Sequence, residues 1–62
     1  MNPLIHSPVT TILIAEDEQL MRERLQEQLT LAWPQAQIVA VCENGNDAWD
    51  SWLEHEPDVV LN

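Results

Sequence analysis

The sequence predicts an α/β fold built as strand, helix, strand, helix, strand, the first half of a doubly wound parallel sheet. Three observations predict it. The runs Ile12-Leu13-Ile14-Ala15 and Ile38-Val39-Ala40-Val41-Cys42 are apolar without alternation, as in strands covered on both faces. The stretch from Glu18 to Trp33 and the stretch from Asp47 to Pro57 instead carry apolar residues at helical spacing. Pro34 and Pro57 end those stretches, because a proline cannot donate a backbone hydrogen bond and pushes the residue before it out of the helical region.

Taken in order, Met1 to Pro8 has two prolines and no periodic pattern, and is expected to be a loose leader. The first strand ends abruptly in Glu16-Asp17-Glu18. In the helix that follows, Met21, Leu25, Leu29 and Trp33 recur every four residues, and Leu20 and Ala32 widen the stripe. Glu18 and Arg22 stand in the favourable i, i+4 order, and Arg24 can reach Glu27. After the second strand, Glu43-Asn44-Gly45-Asn46-Asp47 supplies turn chemistry, with Gly45 free to take positive φ and Asn46 placed to cap the second helix. Ala48, Trp49, Trp52 and Leu53 then form the apolar stripe of that helix. Asp58-Val59-Val60-Leu61-Asn62 begins a third strand.

If the second crossover passes over the first strand, the first strand is central, the order is second, first, third, and the helices lie on opposite faces. That leaves the third strand with an open edge and one helix on each face. Exposed apolar edges are normally covered or paired, so residues beyond Asn62 or another chain are expected to supply the missing neighbours. The isolated chain is expected to fold poorly or to associate with itself.

Composition narrows the function. Eleven acidic residues stand against Arg22 and Arg24 alone, for a net charge of −9, which opposes contact with a phosphate backbone by these residues. No apolar run approaches the ~20 residues that a membrane-spanning helix needs. A single cysteine, Cys42, rules out an internal disulfide and fits the cytoplasm; on a buried strand it reads as a small core residue. His6 and His55 have no second His or Cys at ligand spacing.

The acidic triplet stands at the carboxyl end of the first strand, the edge at which open α/β sheets bind ligands. Adjacent carboxylates on a tight loop repel unless a cation or hydrogen-bond donors lie between them. Mg²⁺ is the natural occupant, since it takes hard oxygen ligands and keeps several waters. Locally, Asp17 and Glu18 fit equally well as acids at a helix amino terminus, where negative charge is favoured by ~0.3–1 kcal/mol. A nucleotide-binding enzyme half is a disfavoured rival: it needs a glycine-rich turn after the strand, and the only glycine is Gly45.

Four pieces in order, Ala15-Glu16-Asp17-Glu18, Gln19-Leu20-Met21-Arg22-Glu23-Arg24-Leu25, Glu43-Asn44-Gly45-Asn46-Asp47-Ala48 and Pro57-Asp58-Val59-Val60-Leu61, resemble the amino-terminal half of a response-regulator receiver domain, with its flavodoxin-like sheet. The resemblance covers residues 9–62. Arg22-Glu23-Arg24-Leu25 and Ala32-Trp33-Pro34 look most like receivers attached to LytTR-type DNA-binding domains. The resemblance implies a non-enzymatic signalling module that takes a phosphoryl group from a histidine kinase and acts on an output domain, with Asp17 the direct Mg²⁺ ligand and Glu16 binding through water. Glu16 stands where the family more often has Asp, and its extra methylene lengthens its reach. The acceptor aspartate is expected immediately after Asn62, and the second half of the domain after that. A receiver-like module that dimerises without phosphorylation is the alternative, and the residue after Asn62 discriminates the two.

Overall fold

The structure is a computed structural model that describes residues 9–62; the leader and His6 lie outside the described residues. Five elements follow one another: β1 (Thr11–Ala15), α1 (Gln19–Ala32), β2 (Gln37–Cys42), α2 (Gly45–His55) and β3 (Val59–Leu61). The strands form one parallel sheet in the order β2-β1-β3, as the sequence predicts.

β1 is the core. Ile12, Leu13 and Ile14 are fully buried, and Cys42 at the end of β2 joins them. Neighbouring residues of a strand point to opposite faces. Ile12 lies beside Leu29 and Trp33 at the end of α1, and Leu13 beside Trp49 and Trp52 of α2, so the two helices cover opposite faces. Both faces of β1 must therefore be apolar, which explains a run without alternation.

Hydrogen bonds fix the flanking strands. Ile12 pairs with Ile38 but Leu13 with Ala40, so Val39 is an extra residue that bulges β2. β3 is held at its start by Asp58, whose Oδ2 accepts from the Thr11 amide at 2.8 Å and from the Thr11 hydroxyl at 3.1 Å. The Asp58 amide donates in return to the Thr11 carbonyl at 3.0 Å.

Several local expectations are corrected. The cap of α2 is Asn44, not Asn46: its side chain accepts from the Asp47 amide at 2.9 Å and donates to the Asp47 carboxylate at 3.1 Å. Gly45 is thereby the first helical residue and does not take positive φ. The stop at Pro57 is as predicted: α2 ends at His55, and its C-cap Glu56 adopts the left-handed conformation (φ 46°, ψ 58°). Arg22 pairs with Glu43 rather than Glu18, and no ion pair joins Arg24 to Glu27 among the described residues. Val41 is exposed, so β2 is not covered on both faces as β1 is.

The helical stripes are also less buried than their spacing suggests. No residue of α1 or α2 is fully buried, and Leu20, which was expected to widen the α1 stripe, is exposed. On α2 the half-buried positions are Ala48 and Ser51, and the Ser51 hydroxyl accepts from the Cys42 thiol at 3.5 Å. Small side chains at the contact leave the larger ones to the flank. Trp49 (59% exposed) and Trp52 (42% exposed) stack on each other there, with ring centroids 5.3 Å apart.

Candidate functional site

The site grows from the way β1 stops. One ladder bond continues past the strand, from the Glu16 amide to the Cys42 carbonyl at 3.0 Å, and holds the start of the β1–α1 loop against the end of β2. The chain then turns within Asp17 and Glu18 into α1. Glu16 assists that turn itself: its Oε2 accepts from the Glu18 amide at 3.1 Å. The N-cap residue Glu18 makes no capping hydrogen bond with its own side chain.

At the carboxyl ends of the three strands the loops enclose an open cleft of ≈ 460 Å³, lined among others by Glu16, Asp17, Glu43, Asn44 and Asn62. The two acids singled out in the sequence therefore share one cleft, beside the residue that follows β3. Glu16 is half-buried and Asp17 exposed. Among the described residues the Asp17 carboxylate makes no hydrogen bond, so both of its oxygens are available to a ligand. Glu16 has one oxygen engaged by the Glu18 amide and one left over.

Charge in the cleft is one-sided. Glu16, Asp17 and Glu43 all line it, and among the described residues Arg22 is the basic side chain that reaches Glu16 and Glu43. Its Nη1 donates to the Glu16 carbonyl at 2.9 Å and its Nη2 to Glu43 Oε1 at 3.1 Å. Acidic walls of this kind raise the local concentration of cations. The donor set consists of carboxylate and amide oxygens, which are hard ligands and fit Mg²⁺. Among the described residues no group of three or more His, Cys, Asp or Glu comes together so as to hold a metal ion. An ion held here would have the Asp17 carboxylate, and Glu16 directly or through water, as its protein oxygens and would keep waters, as Mg²⁺ commonly does.

Three contributors were not singled out by pattern alone. Glu43 reads as turn chemistry in the sequence, and only the parallel pairing of β1 with β2 brings it beside the acidic loop. Arg22 reads as an i, i+4 partner on its own helix, whereas it folds back over the loop that precedes α1. Asn62 reaches the cleft because β3 lies next to β1. His55 pairs with Glu54 on the far end of α2 and takes no part.

Over 51 residues the chain is 44% identical to an uncharacterized response regulatory protein of Vibrio cholerae, an alignment covering 82% of this chain and 20% of that protein. Over 49 residues it is 41% identical to a protein-glutamate methylesterase/protein-glutamine glutaminase of Carboxydothermus hydrogenoformans, covering 79% of this chain and 14% of that one. The chain thus spans only a small part of either relative's length. No protein-family model and no solved structure matches it. Similarity confined to this stretch coincides with the half-fold just described, a parallel sheet in the order 2-1-3 carrying one helix on each face. These residues belong to the response-regulator receiver family and make up the amino-terminal half of its domain.

Proposed function

We propose that these residues are the cation-binding half of a phosphoacceptor receiver, which accepts a phosphoryl group from a histidine kinase and passes a conformational change to an output domain. The observation that carries this reading is the shared cleft: Glu16 and Asp17 leave the central strand into the space that Asn62 also lines. Asp17 would hold Mg²⁺ directly and Glu16 would hold it through water. The ion's contribution is to neutralise charge on a phosphoryl group in transfer. The acceptor is an aspartate directly after Asn62, on the continuation of β3.

The output is a DNA-binding, transcription-regulating domain, a reading supported by the likeness of Arg22-Glu23-Arg24-Leu25 to the LytTR-linked receivers. With a net charge of −9, the residues seen here leave contact with DNA to that domain. The methylesterase name of the second relative supports an enzymatic output instead. No helix among the described residues is long and apolar enough to cross a membrane, which suits a cytoplasmic regulator. The exposed Trp49–Trp52 stack supports a second reading, a receiver-shaped module that dimerises without phosphorylation.

Phosphorylation distinguishes the two. Incubated with a small acyl phosphate and Mg²⁺, the chain Met1–Asn62 is expected to take up no stable phosphoryl group. The same polypeptide continued past Asn62 is expected to take up one, as a hydroxylamine-labile acyl phosphate. Uptake by Met1–Asn62 itself contradicts the proposal, and a residue other than Asp after Asn62 favours the dimerisation module.

A further inference from the structure

Arg22 has a role that neither the helix it sits on nor the family resemblance assigns, and its assignment rests on the cation reading given above. We infer that Arg22 is a positioning residue: it clamps the β1–α1 loop to the end of β2, so that the Glu16 and Asp17 carboxylates are held toward one cleft before a cation arrives. Its guanidinium side chain is only 13% exposed, although it belongs to a long charged residue on the first turns of a helix with no fully buried positions. It therefore lies against the loop and not in solvent.

The two hydrogen bonds go to different segments. Nη1 donates to the backbone carbonyl of Glu16, at 2.9 Å, and Nη2 to the carboxylate of Glu43, at 3.1 Å. Glu43 directly follows Cys42, whose carbonyl already accepts from the Glu16 amide at 3.0 Å. Glu16 is thus gripped through both its amide and its carbonyl, which leaves its side chain and the Asp17 peptide little freedom to turn away. A planar fork with fixed donor directions serves two acceptors in this way; a lysine ammonium has donors enough but, on its flexible stem, no fixed directions with which to hold the two segments in one geometry.

Charge and positioning predict opposite results. A guanidinium beside an acidic cleft repels an incoming cation, so a residue acting only as a charge would weaken binding, and its removal would tighten it. A residue acting by position would strengthen binding despite its charge. Mn²⁺ binding to Met1–Asn62, read from the electron paramagnetic resonance of the free ion, separates them in Arg22→Lys, Arg22→Met and Asp17→Asn. Loss of supporting contacts around a metal site costs on the order of 10–100-fold in affinity. Both Arg22 variants are expected to bind about tenfold more weakly than the parent, at the lower end of that range.

A readout that needs no cation comes from Glu43→Gln, which weakens the clamp from its far end and leaves α1 untouched. Amide hydrogen exchange at Asp17 and Glu18 is expected to speed up in that variant, with the β1 amides unchanged. Binding in both Arg22 variants that equals or exceeds the parent's, while Asp17→Asn abolishes it, overturns the positioning role alone. Unchanged exchange at Asp17 and Glu18 in Glu43→Gln also overturns it. Binding that survives Asp17→Asn overturns the cation reading, and this inference with it.

Discussion

At the scale of single residues, the loops around the cleft are shaped by side chains that satisfy backbone groups. Asn44 caps α2, Glu16 accepts from the Glu18 amide, and Arg22 secures the Glu16 carbonyl. Glu56 is the exception. It ends α2 in the left-handed region at φ 46°, which costs a residue with a side chain about 1–2 kcal/mol and costs glycine little. Glu56→Gly is therefore expected to stabilise the chain by about 0.5–1 kcal/mol, after the greater freedom of glycine in the unfolded chain is deducted, as read from urea unfolding. Residue-scale detail was the least legible part of the sequence. Asn44 and Asn46 are equally good caps by type, and what separates them is the reciprocal bonding of Asn44 with Asp47. Arg22 resembles a partner for Glu18 because spacing describes only contacts within a helix, while its real partners lie on the preceding loop and on the turn that follows β2.

At the scale of elements the sequence was far more informative. Unbroken apolar runs and helical spacing divided by two prolines are strong signals, and all five elements and the strand order follow from them. The acids at the end of the first strand were legible for the same reason, since a central strand delivers whatever follows it to the sheet's carboxyl edge. The Val39 bulge and the exposure of Val41 were not, because they depend on the register of β2 against β1 and on how little the two helices cover. The clasp between Asp58 and Thr11 was equally hidden: its partners are 47 residues apart. It is the device that starts the pairing of a three-residue strand. Asp58→Ala is expected to cost about 1.5–3 kcal/mol, the typical value for hydrogen bonds to a charged group. Amide exchange at Val59–Leu61 should then rise before exchange at the β1–β2 pairing does. Equal acceleration across all three strands would show that the clasp supports the whole sheet instead.

At the scale of the molecule, a chain this short buries only ~60% of the surface its unfolded form exposes. Among the described residues burial is limited to Ile12, Leu13, Ile14 and Cys42, while Trp49, Trp52 and Leu53 stay open on one helix. Among the described residues β3 has β1 as its one neighbour and presents a free apolar edge. Exposed patches and bare edges of this kind drive association. The apparent mass of Met1–Asn62 in sedimentation should accordingly rise with concentration, and Trp49→Ser should reduce the rise. A monomer that unfolds cooperatively and independently of concentration would contradict this expectation. The central claim concerns the cleft, and its most direct test is a Mg²⁺ titration followed by the amide resonances of Glu16, Asp17 and Asn62. The predicted result is a saturable shift shared by all three residues in the parent chain and absent in Asp17→Asn; no saturable shift, or an equal one in Asp17→Asn, would contradict it.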